Sequence, residues 1–484
     1  MTSEKEDFTL IEAILPILFL TAFLSFNVFV FGDAALDGSN QIVLLVSAAV
    51  AVIIAMLRGF SWDEVQAGML KSINSTMPSI LILLMIGAIS GSWLVSGIVP
   101  AMIYYGILML NPDFFLAAAC VVCAVVSVAT GSSWTTAATV GVALIGIGQT
   151  MGIHTGMVAG AILSGAYFGD KMSPLSDTTN LAPAMAGTDL FTHIKYMSLT
   201  TIPSIVVTLI IFIVLGLTAE TNVDATYTLE VLSIIDEKFN INLGLFVVPI
   251  IVVVMIAKKV PALPSLFVGS ILAILVAILF QKPILQEVSG LNSGGWEAMF
   301  VGAMKSVYGG IAVTTSNEMV NDLLSSGGMY GMLNTVWLII SAIIFGGVME
   351  GTGMLRKIVT TLMSGIKSTG SLIAATAGTC TFFNFTASDQ YLAIVVPGRM
   401  YADKYRNQGL APENLSRTLE DSGTVTSVLV PWNTCGAYHA GVLGVTTGAF
   451  IPYCFFNIIS PLMTIAFGYL NFKIRRLNAD EVAS

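Results

Sequence analysis

Apolar runs of about 20 residues, the length that carries one helix across a bilayer, recur from one end of this sequence to the other. Ten crossings can be drawn, at 8–31, 41–57, 77–96, 153–185, 199–218, 243–257, 263–280, 331–352, 412–445 and 454–472. Two more apolar stretches, 113–149 and 371–403, are each broken near the middle by a polar cluster. The clusters are GSSWTT at 131–136 and TASDQ at 386–390, and each stretch reads as a two-helix hairpin. Charged residues are 10% of the 484, against about 25% in soluble domains, too few to cover a water-facing surface. The expected fold is an all-α polytopic membrane protein whose chief partner is the lipid bilayer. The net charge of −9 is carried largely by loops and termini and gives no reason to expect a nucleic acid. The run at 8–31 exceeds the about 7–15 residues of a signal-peptide core and is read as the first span.

Basic residues orient the spans, because cytoplasmic loops collect Lys and Arg. With both termini cytoplasmic, only Lys238, Lys282 and Lys305 fall outside, and Lys171 and Arg399 fall in the membrane layer. The other fifteen of the twenty, Arg58, Lys258, Lys259, Arg356, Lys357 and Arg417 among them, fall inside. The count holds only if each hairpin enters and leaves on the same face, whether it stops halfway or crosses and returns. Cys120 and Cys123 form a CxxC, but on an apolar span with no second pair they are read as small packing residues.

The two halves repeat at a fixed register. Trp62-Asp63, Gly68 and Lys71-Ser72 recur as Trp296-Glu297, Gly302 and Lys305-Ser306, 234 residues on. Gly97 answers to Gly353 at 256, and Pro174 to Pro431 at 257, the offset that also separates the hairpin tips at 131–133 and 388–390. The jump from 234 to 256 implies about 22 extra residues in the second half, expected near 308–329. Each half then holds five crossings and one hairpin, and an odd number turns the second half upside down. The loop 97–112 accordingly has no Lys or Arg, while 353–371 has Arg356, Lys357 and Lys367. Two inverted repeats with broken helices at the midplane mark secondary transporters. The expected organisation is a first repeat at 1–218 (hairpin 113–149, broken helix 153–185), an external linker at 219–242, a second repeat at 243–476 (hairpin 371–403, broken helix 412–445) and a cytoplasmic tail at 477–484.

Four polar clusters fall into two pairs: the hairpin tips, and the breaks at Ser173 to Asn180 and Pro431 to Gly436. Proline within a span frees a backbone carbonyl, which protein, water or an ion must satisfy in lipid. Such carbonyls, joined by Ser and Thr hydroxyls and a carboxylate, make the all-oxygen surroundings a small hard cation needs. A charge at that depth costs at least about 2.5–3.5 kcal/mol, so a carboxylate retained there is a candidate for binding an ion or a proton. Asp177 and Asp389 are the leading candidates. Asp170, Glu420 and Asp421 are secondary, since Asp170-Lys171 reads equally well as a local ion pair near a membrane face and Glu420-Asp421 as a helix cap. His439 is a further candidate proton carrier, although a structural role is the simpler reading.

Two stretches, FGDKMSPLSDTTNLAP (168–183) and LEDSGTVTSVLVPWNTCGAY (419–438), closely resemble the NhaC-type sodium/proton antiporter family of the ion transporter superfamily, and the likeness extends over nearly the whole chain. The resemblance implies a multi-pass carrier of the cytoplasmic membrane, expected as a homodimer, that exchanges sodium for protons and needs no cofactor. It places the cation, sodium, at Ser132, Ser133, Ser176, Asp177, Thr178 and Asn180 in one half and at Ser388, Asp389, Asn433 and Thr434 in the other. The tips here read Ser-Ser-Trp and Ser-Asp-Gln where carboxylate carriers of the superfamily have Ser-Asn-Thr at both. That departure favours a carboxylate-based cation site over dicarboxylate transport. An exchanger of organic acids such as malate and lactate, driven by the sodium gradient, is the alternative. No repeated carbonyl filter indicates a channel, and no nucleophile–base pair or metal-ligand spacing indicates an enzyme.

Overall fold

The computed structural model describes residues 7–31, 35, 37–109, 111–218, 225–291, 295–315, 317–363, 366 and 368–477. Lys5, Lys367, the first part of the expected linker (219–224) and the tail from 478 onward lie outside the described residues. The described residues are mostly helical, with one two-residue strand pairing.

The first half runs α1 (Leu10–Phe31), α2 (Ser39–Leu57), α3 (Trp62–Val95), α4 (Ile98–Met109), then a hairpin of α5 (Phe115–Thr130), α6 (Ser133–Thr136) and α7 (Val142–Thr150). A broken helix follows, α8 (Thr155–Met172) and α9 (Asp177–Ala186), and then α10 (Leu190–Thr218). Next come α11 (Ala225–Lys238), α12 (Val247–Ala257), α13 (Ala262–Phe280), α14 (Lys282–Ser289) and α15 (Trp296–Tyr308). A short insertion, β1 (Ile311–Ala312), α16 (Glu318–Leu323) and β2 (Ser325–Ser326), leads to α17 (Gly328–Gly351) and α18 (Met354–Met363). The second hairpin is α19 (Thr369–Thr386) and α20 (Gln390–Asn407), and the second broken helix α21 (Pro412–Leu419) and α22 (Thr434–Leu443). The last helices are α23 (Thr447–Phe450) and α24 (Phe455–Tyr469).

Among the described residues seven helices are long and apolar enough to cross a membrane, or nine when two bent pairs each count as one span. Polar breaks remove 153–185 and 412–445 from that set. The stretch 97–112, expected as a loop, instead carries the apolar helix α4, half of whose side chains are buried. The span expected at 77–96 is the end of the 34-residue α3, which starts at a capping box: Ser61 Oγ accepts from the Glu64 N–H, and the Glu64 carboxylate accepts from the Ser61 N–H.

Burial is arranged for lipid. Phe29 is 88% exposed, and Ile11, Leu18, Ile210 and Leu279 also face outward, whereas Asp170, Lys171, Ser176, Thr178, Glu420 and Asp421 of the broken helices are buried. α5 and α8 approach closely because Gly165 and Gly169 face the carbonyls of Cys120 and Ala124, where a Cβ would come within 2.0 and 2.3 Å. Small residues are how helices pack tightly in lipid. Cys120 and Cys123 are buried free thiols on α5, as a packing role requires.

Candidate functional site

The first hairpin tip meets the first helix break. α5 ends at Gly131, whose φ of +69° suits glycine alone at low cost; a Cβ there would stand 2.7 Å from the Leu175 carbonyl carbon. Ser132 caps α6, its Oγ accepting from the Thr135 N–H at 3.2 Å. Ser133 then donates its N–H and its hydroxyl to Asp170 Oδ2, at 3.0 and 2.6 Å. Asp170 thus sits where a helix start presents unpaired N–H groups, which favour a negative charge.

Beyond Pro174 the chain resumes helix with Ser176 as the cap of α9, accepting from the Thr179 N–H at 3.4 Å. Carbonyls loosened by the break are held by side chains. Thr179 Oγ1 donates to the carbonyls of Asp170 and Lys171 at 3.2 and 3.1 Å. Asn180 Nδ2 donates to those of Pro174 and Ser176 at 3.0 and 2.7 Å. These bonds leave carboxylate and hydroxyl oxygens as the groups of this junction best placed to serve a ligand.

A cavity of about 590 Å³ opens at the junction. Ser132, Asp170, Ser176, Asp177, Thr178 and Asn180 line it from the first half, Gln390 and Tyr391 from the second, and Lys259 from the turn between α12 and α13. Asp177 and Asn180 are exposed, whereas Asp170, Ser176 and Thr178 are buried within the wall. Ser133 lies behind the wall, held by Asp170.

Ser388, Asp389, Asn433 and Thr434 come together at a second tip-to-break junction, and none of them lines that cavity. The Ser388 carbonyl accepts from the Thr434 N–H at 3.0 Å, while its buried Oγ has no partner among the described residues. Asp389, 6% exposed, caps α20 by accepting from the Leu392 N–H at 2.9 Å. Asn433 caps α22 through the Cys435 N–H and donates to the Asn384 carbonyl, both at 2.9 Å.

Contacts between the halves join the two broken helices. Thr178 donates to Glu420 Oε1 at 3.1 Å. Lys171 pairs with Asp421, and both side chains are fully buried. Trp134 of the first tip stacks on Tyr438 at 3.8 Å, and the Tyr438 hydroxyl donates to the Trp134 carbonyl at 3.0 Å. His439 lies buried near Tyr167 and Tyr438, with neither ring nitrogen bonded among the described residues.

Two sequence readings are corrected, and one residue is more enclosed than its place in the sequence suggests. Asp170 and Lys171 do not form a local pair at a membrane face; both are buried and each has another partner. Glu420 and Asp421 do not cap a helix but lie inside a π-turn at Glu420–Thr424, a feature often found at functional sites. Arg417, counted with the cytoplasmic loops, is fully buried over the rings of Tyr196 and Phe467, at 4.7 and 5.8 Å. Lys259, Gln390 and Tyr391 in the cavity wall were not singled out, although Gln390 belongs to the quoted tip. The Lys171–Asp421 pair was also missed, and its signal was Lys171 itself, since a lysine at membrane depth calls for a carboxylate.

Comparison with known proteins follows the same residues. The family model described as the Na+/H+ antiporter family matches residues 165–472, which include both helix breaks. The Na+/H+ antiporter NhaC of Alkalihalophilus pseudofirmus is 35% identical over 435 residues, covering 90% of this chain and 91% of that one. The malate-2H+/Na+-lactate antiporter of Bacillus subtilis is 35% identical over 463 residues, covering 95% and 94%. The arginine/ornithine antiporter ArcD of Halobacterium salinarum is 36% identical over 486 residues, covering 97% and 94%. Matches of this length and identity establish that the chain belongs to the NhaC-type Na+/H+ antiporter family.

Proposed function

We propose that this protein is a secondary active transporter that exchanges sodium ions for protons across the cytoplasmic membrane. The observation that carries the reading is the cavity wall, where Asp170 and Asp177 meet Ser and Thr hydroxyls at the junction of a hairpin tip and a helix break. Sodium and protons compete there for one carboxylate cluster, so each displaces the other as the site faces alternate sides. Asp389 and the hydroxyls around it serve from the second junction.

The element order supports two inverted repeats. Each half carries a hairpin followed by a broken helix, and the extra residues expected near 308–329 fall where α15 gives way to β1, α16 and β2. In the first half α3 runs through the matching stretch without interruption. Lys258 and Lys259 beside the cavity support a cytoplasmic opening, with both termini on that side. The homodimer remains part of the proposal on family grounds.

An exchanger of organic acids is the second reading. It is favoured by a cavity far larger than one ion needs, since a water's share of liquid volume is about 30 Å³, and by exposed Lys259 among the residues that line it. The deciding experiment reconstitutes the protein in proteoliposomes. Proton movement driven by a sodium gradient, without any organic solute, supports ion exchange. Uptake of labelled malate or lactate, with no proton movement in its absence, supports the alternative.

A further inference from the structure

In each broken helix two adjacent charged residues point to different tasks. Asp170 takes the two donors of Ser133 at the cavity wall, while Lys171 reaches the second broken helix. Glu420 takes the Thr178 hydroxyl, while Asp421 takes Lys171. The ion pair is fully buried on both sides. Ser460 Oγ on α24 lies 2.9 Å from Lys171 Nζ, and Thr200 Oγ1 on α10 donates to Asp421 Oδ2 at 2.8 Å. Neither Lys171 nor Asp421 lines the cavity.

We infer that Lys171 and Asp421 form a charge-neutral clamp between the broken helices and act as positioning residues for Asp170 and Glu420, not as ligands of the transported cation. The inference rests on the cation-exchange reading above. Two features support the division of labour. Both carboxylate oxygens of Asp421 are already engaged, Oδ1 by Lys171 and Oδ2 by the Thr200 hydroxyl, which leaves Asp421 little capacity for an arriving ion. The pair also lies one residue from Asp170 and from Glu420, so any shift of one broken helix carries the opposite carboxylate with it. Removing one member of the clamp therefore leaves an uncompensated charge beside the site, whereas removing both does not.

The test uses purified full-length protein, with sodium titrations read by thermal stabilisation and by sodium-driven proton movement in proteoliposomes. Lys171→Gln should lower the half-saturating sodium concentration and slow turnover, because surplus negative charge holds the ion. Asp421→Asn should raise it, because the freed ammonium repels the ion. Each shift should be on the order of tenfold, as expected for a unit charge several ångströms away in a partly shielded site. The double variant Lys171→Gln/Asp421→Asn, an amide pair without charge, should return half-saturation to the wild-type value and recover most of the exchange. A double variant that binds sodium as poorly as Asp421→Asn would make Asp421 a ligand and overturn the clamp. Single variants that lose stability without opposite sodium shifts would reduce the pair to a structural tie, and also overturn it. If a single variant does not fold, the double variant decides alone: it must fold and bind sodium like the wild type. Should the wild type itself neither bind sodium nor exchange it, the functional reading fails. The clamp is then judged by melting temperature, where losses that add in the double variant instead of cancelling would refute it.

Discussion

Replacing Asp170 by Asn separates charge from shape at the cavity wall. Asp170 is 7% exposed and accepts from the N–H and the hydroxyl of Ser133 at 3.0 and 2.6 Å. An amide oxygen can accept both bonds, so the fold keeps its contacts. Each bond loses its charge assistance, on the order of 1 kcal/mol apiece and about 2 kcal/mol together. Against this, a charge is no longer held at membrane depth, where it costs at least about 2.5–3.5 kcal/mol. The two terms nearly cancel, and the melting temperature in detergent should hardly move. Cation binding has no such offset. A carboxylate about 4 Å from a bound ion, at an effective dielectric of about 20, contributes about 4 kcal/mol, or roughly a thousandfold in affinity. Water entering the cavity reduces that figure, and a loss of at least about a hundredfold is expected. The assay imposes a sodium gradient on proteoliposomes, follows luminal pH with a dye and fits the half-saturating sodium concentration. An Asp170→Asn protein with wild-type half-saturation would show that this carboxylate only fastens the hairpin tip.

Three further outcomes follow from the same geometry. Asp177→Asn and Asp389→Asn should each abolish sodium-driven proton flux while leaving the detergent melt unchanged, and flux retained in both would remove these two from the ion path. Gly131→Ala should destabilise the protein by at least about 1–2 kcal/mol from the left-handed backbone alone, with a further loss from the clash at Leu175; an unshifted melt would contradict the close approach of tip and break. Thr178→Val leaves the Glu420 oxygen without its donor and should cost about 1–3 kcal/mol in stability, measured by thermal melt, unless Glu420 takes up a proton and another partner.

The sequence made the breaks legible because their chemistry is local. Pro174 and Gly131 act on their own backbone, and α8 and α5 stop within two residues of them, while Pro431 stands in the break before α22, which opens earlier, at the end of α21. The serines and asparagine that follow, Ser132, Ser176 and Asn433, cap the next helix as their residue types favour. Partnerships were not legible, because adjacency in sequence is not adjacency in a helix. Successive residues are about 100° apart around the axis, so Asp170 and Lys171 cannot share one direction, nor Glu420 and Asp421. Each found a partner on a different element. Counting charges along the sequence registers Arg417 as a cation but not the rings of Tyr196 and Phe467 that cover it.

The two junctions differ in a way that bears on transport. The first opens onto the large cavity with Asp177 exposed in it, while the second keeps Asp389 and Ser388 sealed. A smaller cavity of about 200 Å³ is lined by Asp37, Asn334, Pro431 and Thr447, among others. On the proposed topology, the Asp37 loop and the Lys259 turn belong to opposite faces of the membrane. Trp134 belongs to the wall of the large cavity, Ala437 to that of the small one, and Tyr438, next to Ala437, stacks on Trp134. On the exchange reading, this stack is the barrier on the closed side. Opening the small cavity toward the site then requires the Trp134–Tyr438 contact to part, whereas the Thr178–Glu420 bond and the Lys171–Asp421 pair can persist through the cycle.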